Sequence, residues 1–193
     1  MGGRIHIKNR IINAFIEEIQ ANGLKFSVDD LANRIGISKR TLYKYFSSKA
    51  EILDCIIDDT FQEIDEKAKA IIQNGQLSMP EKIKGVITTL PDHYELLDLK
   101  LLGQMKQYYP EQWAKMDELL KDDWELLRNL IEQGIREGVI IELNVSLVMK
   151  VILESINSTL DQSFYMENRI TVSEALSEIV NILFYGLISE NKR

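Results

Sequence analysis

The sequence predicts an all-α protein in which a small basic head of three helices is joined by a long helix to a larger, acidic helical body. Three observations carry that expectation. Apolar residues recur at spacings of three and four rather than two along most of the chain. Three prolines and ten glycines punctuate 193 residues that hold no repeat and no low-complexity tract. The charge is divided: residues 1–50 carry 9 Lys+Arg against 4 Asp+Glu and the remainder 14 against 26, so a net charge of −7 conceals a basic module on an acidic body. Only the head is suited to attract a polyanion.

In RIHIKNRIINAFIEEIQANG, residues 4–23, Ile12, Ile16 and Ile19 form a stripe with Ile11 and Phe15 beside it, and Gly23 supplies a stop. The pattern predicts a first helix over about 5–22. Ser27, three places before Asp30, has the form of a capping box, and Val28, Leu31, Ala32 and Ile35 share one face of a second helix that Gly36 ends. Ser38 opens a third helix, running to Phe46. In it Leu42 and Phe46 point inward together, which leaves Lys39, Arg40, Thr41, Tyr43, Lys44 and Tyr45 on the remaining surface. Ser48 with Glu51 repeats the cap signal, and Ile52, Leu53, Ile56, Ile57, Phe61, Ile64 and Ala68 carry a fourth helix to about residue 73.

Ser78, Pro80 and Glu81 open the body. Tyr109 and Pro110 begin one long helix through Trp113, Leu120, Trp124, Leu127, Ile131 and Ile135 to Gly138, and VIIEL, residues 139–143, reads as a short extended connection. Asn144 caps a helix whose apolar side is Leu147, Val148, Val151, Ile152, Ser155, Ile156 and Thr159. TVSE, residues 171–174, caps the last helix. There Ile179, Val180, Ile182, Leu183, Phe184, Leu187 and Ile188 spread beyond one stripe, so the helix needs a second partner besides its own core. A second copy of the chain, paired through helices near 145–165 and 173–188, fills that role; a fully buried helix in a monomer is the competing reading.

Composition narrows the function. No apolar run approaches the roughly 20 residues of a membrane span, and the basic start lacks the apolar block of a signal peptide, so the cytoplasm is expected. One cysteine, Cys55, excludes an internal disulfide and a thiolate zinc cage, and the two histidines, His6 and His93, lie far apart. Neither a metal nor another cofactor is expected. The chain holds no GxSxG, GxGxxG, Walker loop or HExxH, so no enzyme is expected either.

Two short helices about a glycine-containing turn, the second bearing basic and hydroxyl side chains, have the form of a helix-turn-helix. Lys39, Arg40 and Thr41, at the start of the third helix, can reach base edges in the major groove, and Ser38 opens that helix on the same side. Charge alone would fit an ordinary solvated face; the turn decides for DNA. FSVDDLANRIGISKRTLYKYFSSKAEIL, residues 26–53, resembles the tetracycline-repressor (TetR) family of bacterial transcription regulators: a leucine-alanine pair, a glycine in the turn, then Leu-Tyr, a further aromatic, Phe, and Lys before an acidic residue and leucine. The resemblance implies that Lys39, Arg40 and Thr41 face bases and that Tyr43 and Tyr45 hold phosphates through their hydroxyls. It also implies that Lys44 adds charge and that Lys49, with Ser27, meets the DNA backbone at a helix amino end. Position 45 is often histidine in that family; tyrosine keeps a donor and loses a titratable charge.

The resemblance further implies a DNA-binding domain over 1–50 and an effector-binding and dimerisation domain over 51–193. The homodimer would bind a near-palindromic operator as a repressor and be released by a small molecule, with Leu102, Met105, Tyr109, Trp113, Met116, Trp124, Asn157 and Asp161 the candidates to line its pocket. A helical protein-protein interaction scaffold without DNA binding is the alternative.

Overall fold

The computed structural model describes residues 2–94, 98–122, 124–159, 164 and 167–186, and among these the only regular structure is helical. In chain order the helices are α1 (Gly2–Asn22), α2 (Val28–Arg34), α3 (Lys39–Leu42), α4 (Lys49–Gln73) and α5 (Met79–Ile87). They continue with α6 (Leu99–Tyr108), α7 (Pro110–Asp122), α8 (Glu125–Arg136), α9 (Val145–Ser158) and α10 (Val172–Tyr185). A 3-10 turn, Gly23–Lys25, follows α1. These elements fall into two compact units: Met1–Gln62 with Asp92–Glu118, and Glu63–Pro91 with Leu119–Arg193. The expected boundary at 50/51 falls just inside α4, whereas the compact units divide that helix at 62/63 and add 92–118 to the head.

Helix starts follow local chemistry. Ser27 accepts from Asp30 N–H while the Asp30 carboxylate accepts from Ser27 N–H, so two amino-end donors are satisfied by one reciprocal pair. Thr171 and Glu174 repeat the device on α10. Ser78 donates both its N–H and its hydroxyl to Glu81 ahead of α5. Asn144 Oδ1 accepts from Leu147 N–H, and Ser48 Oγ from Glu51 N–H. These are the caps that the sequence pattern predicts.

The turn after α2 closes on Gly36, whose φ is +68°. Gly36 N–H donates to Asn33 O and Ile37 N–H to Ala32 O, a Schellman ending that satisfies the last carbonyls of α2. Ser38 Oγ then accepts from Thr41 N–H to begin α3. The rod expected over 38–46 is a regular α-helix only to Leu42; beyond it Lys44 N–H reaches Thr41 O, and Leu42 O accepts from both Tyr45 and Phe46 N–H, so the segment continues as turns that keep Phe46 on the side of Leu42.

The long helix expected over 110–138 is two helices instead, α7 and α8. Trp124 is non-helical, with φ −117°, and its indole N–H donates to Leu120 O. That carbonyl is the acceptor Trp124's own backbone N–H would use in an unbroken helix. Residues 139–143 are bends and irregular backbone rather than strand. Leu187 and Ile188 lie outside the described residues.

In the first unit Ile11, Phe15, Leu31, Leu42, Ile52 and Ile57 are buried to the last few square ångströms, and the Phe15 and Phe26 rings meet edge to face at 5.0 Å. In the second, Ala68, Ile83, Val86, Ile87, Leu127, Leu130, Ile131, Met149, Ile152 and Val180 form one core. There α5 packs on α8 and α10, and α9 on the same two helices. Each of the Val, Leu, Ile and Met side chains among them contributes about 1.5–3 kcal/mol by leaving water.

Gly36→Ala meets no neighbour that a Cβ would touch, so its cost is conformational alone. Equilibrium urea unfolding is expected to show a loss of about 1–2 kcal/mol from forcing an L residue to positive φ; no loss would mean that the turn relaxes.

Candidate nucleic-acid interface

Leu42 and Phe46 are 0% and 2% exposed, and this anchoring decides what faces outward. Lys39, Arg40, Tyr43 and Lys44 are exposed, with Tyr43 at 45%; Thr41 and Tyr45 are half-buried; Ser38 and Ser27 are exposed. Among the described residues Arg40, Tyr43 and Lys44 make no side-chain hydrogen bond. Lys39 Nζ pairs with Asp29 Oδ2 at 2.8 Å, a surface contact that raises the pKa of its ammonium. Such a pair is weak enough to exchange for a phosphate. Ser38 and Thr41 share a hydroxyl bond at 2.8 Å, which fixes both side chains at the start of α3.

Braces from α1 hold this surface. Arg34, ending α2, donates through Nη1 to Glu18 at 2.7 Å and through Nε to Glu17 at 3.0 Å. Asn22 adds a bond of 2.8 Å to Glu18. The Asn22 and Arg34 donors hold the Glu18 carboxyl below its ordinary range, against the opposing effect of burial. Arg10 reaches from α1 to Ile35 O at 2.9 Å, the last carbonyl before the glycine. Pattern reading missed Arg10 and Arg34 as positioning groups, because their partners lie 16 to 25 residues away.

Lys49 points elsewhere. It is half-buried, and its ammonium donates to Leu24 O at 3.0 Å and to Phe26 O, with the Phe26 ring centroid 3.8 Å away. Burial lowers its pKa.

The effector candidates divide between the two units. Leu102, Met105 and Met116 are buried in the first unit, where Met105 and Met116 border a gap of about 10 Å³. Tyr109 and Trp113 are half-buried there, Tyr109 with its hydroxyl pKa raised by burial and Trp113 with Lys106 Nζ 5.7 Å from its ring. Trp124 packs against the core of the second unit, Asn157 is half-buried on α9, and Asp161 lies outside the described residues. The second unit has a larger groove, about 520 Å³, lined by apolar residues alone, among them Pro80, Ile83, Ile141, Leu147, Val151 and Leu183.

A family model described as bacterial regulatory proteins, tetR family, matches residues 11–56, the span from α1 to the first turns of α4. Over 183 residues the chain is 30% identical to YvaF, an uncharacterised HTH-type transcriptional regulator of Bacillus subtilis (strain 168), with 95% of this chain and 96% of that one covered. The chain belongs to the TetR family. It is a DNA-binding transcriptional regulator, and the scaffold alternative falls. A second relative, the fatty acid metabolism regulator protein of Bacillus subtilis (strain 168), is 26% identical, covering 92% of this chain and 94% of its own. The crystal structure of the TetR family transcriptional regulator PfmR from Thermus thermophilus shares the fold, with a TM-score of 0.74, 23% identity, and 93% of this chain and 100% of that one covered. Among the described residues of this TetR-family chain, no helix is long and apolar enough to cross a membrane.

The Glu18 brace has a pH signature. Its folded pKa lies below the unfolded value near 4.5, so the carboxylate contributes stability above 4.5 that is lost as pH falls through the folded value. Glu18→Gln should therefore lower the urea midpoint at neutral pH, and the gap to wild type should close as pH falls below 4.5 and through the folded value. Stepped-pH denaturation followed by circular dichroism checks this; parallel curves would refute it.

Proposed function

We propose that the chain is a repressor whose homodimer lays two copies of the α3 region into successive major grooves of a near-palindromic operator, and that a small apolar effector releases it. The observation that carries this is the outward row of Lys39, Arg40, Tyr43 and Lys44 over the buried pair Leu42 and Phe46. Arg40 and Lys39, with Thr41 beside them, suit base edges, and Arg40 offers the fork that matches guanine. Tyr43, Tyr45 and Lys44 suit phosphates, with Ser27 and Ser38 at helix starts beside them. Such a regulator works in the cytoplasm, where the operator is.

Pairing is needed because one short helix reads too few bases, whereas a twofold dimer sets two readers about one DNA turn, roughly 34–36 Å, or a multiple apart. The second unit supports it with apolar side chains left in the open: Leu147 is 62% exposed, Val151 44%, Ile182 47% and Tyr185 59%. Release is a population shift in which the effector binds a DNA-incompetent form better than the competent one. Residues 51–193 would carry pairing and effector binding, and residues 1–50 the reading surface. The relative named for fatty acid metabolism supports a fatty-acyl ligand.

Duplexes retained by the wild-type protein from a random pool test the operator assignment. Against the selected duplex, Arg40→Ala should cost about 1–3 kcal/mol and relax the choice of base at one position. Lys44→Ala should weaken binding to all sequences alike and reduce the salt slope by about 0.9. Unchanged binding in both variants would reject the assignment, and palmitate, added to the complex, should free the DNA.

The dimer has its own test. Sedimentation should show two copies for the wild type and one for Leu147→Glu combined with Ile182→Glu, with helix content retained; a monomeric wild type would refute the pairing.

A further inference from the structure

The turn between α1 and α2 is gripped by two helices remote from it in sequence. Gln104 of α6 accepts the Leu24 N–H through Oε1 at 2.7 Å, across 80 positions. Lys49, the first residue of α4, takes the other side of the same residue, donating to Leu24 O and onward to Phe26 O. Both backbone polar groups of Leu24 thus meet side chains from remote helices. The ammonium is enclosed as well as bonded: the Phe26 ring stands on one side at 3.8 Å, with the Phe15 and Tyr109 centroids each at 5.9 Å. Gly23 admits this arrangement. Its φ is +66°, and a Cβ there would collide with the Gln104 amide.

All these residues belong to the first compact unit. Within it, the turn leads directly into the capping box of α2 and so into the braced helix-turn-helix. We infer that Gln104 and Lys49 are positioning residues for DNA reading, clasping the 23–26 turn from α6 and α4 and thereby setting the stance of α2 and α3. Lys49 acts inside the protein, not on a phosphate, and Gln104 gives α6 a direct hold on the reading head. The proposal rests on the reading of the α3 region as the DNA-contacting surface.

The test uses the full chain with Gln104→Ala, Lys49→Met, which keeps the stem and removes the donor, and Ile83→Val in the other unit as a control for general destabilisation. Hydrogen exchange without DNA should quicken across residues 23–46 in both clasp variants and leave the second unit unchanged, while Ile83→Val should spare residues 23–46. Affinity for the duplex selected by the wild type should fall about tenfold in each clasp variant. The salt slope of Lys49→Met should match the wild type, because no phosphate contact is removed. A slope reduced by about 0.9 would make Lys49 a phosphate ligand and overturn its positioning role. Exchange unchanged at residues 23–46, or affinity unchanged in both variants, would overturn the clasp. Should the wild type retain no duplex, operator binding itself fails, and the exchange pattern still decides whether the clasp holds the turn.

Discussion

The exposed basic surface of the α3 region depends on one constraint: Leu42 and Phe46 must both be dry. Four residues apart, they occupy one side of a helical turn, and burying both removes any freedom to rotate the segment about its axis. Lys39, Arg40, Tyr43 and Lys44 are then turned outward whatever their own preferences. A rotation that buried any one of them would exchange an apolar anchor for an unpaired polar group, and both halves of that exchange oppose it. Exposure of the basic row is therefore a consequence of the core, and the core needs no DNA to impose it.

Rigidity of the row comes from polar contacts at its ends. Gly36 allows a glycine-closed ending that pairs the carbonyls of Ala32 and Asn33 at the end of α2, and Ser38 restarts the helix two residues later. Arg10 and Arg34 then tie that corner to α1. The acidic partners Glu17, Glu18 and Asp29 leave the net charge of the head modest, while Arg40 and Lys44 keep theirs for the exterior. The basic residues divide into those that build the corner and those that project from it, a division that total charge conceals.

Much of the architecture was legible because its signals are local. Ser27 with Asp30, Ser48 with Glu51, and Thr171 with Glu174 are pairs three positions apart, and each lies where its hydrogen bonds require. The buried faces of α1, α2 and α4 were equally plain from spacing. What escaped leaves no periodic pattern to read. A tryptophan whose indole captures the carbonyl its own backbone would use looks, in sequence, like one more apolar position in a helix. The gathering of residues 92–118 with the head has no periodic signature, and neither has Gln104 on Leu24. Met105 and Met116 show the same limit: helical spacing cannot tell a side chain that lines a space from one that fills it.

Lys49 carries this furthest. A cation at the first turn of a helix is at odds with the partial positive charge of that helix end, so it needs an anion or a set of carbonyls to be tolerated there. A DNA phosphate would serve, and so would two carbonyls and an aromatic face; sequence cannot distinguish them. In the folded chain the carbonyls of Leu24 and Phe26 already fill that need. Drawing the amine out to a phosphate would strip two buried acceptors of their donor and reopen the ring contacts, a loss the new ion pair would have to exceed in a solvent that screens it. The balance favours an ammonium that stays inside, where it braces the turn that leads into α2.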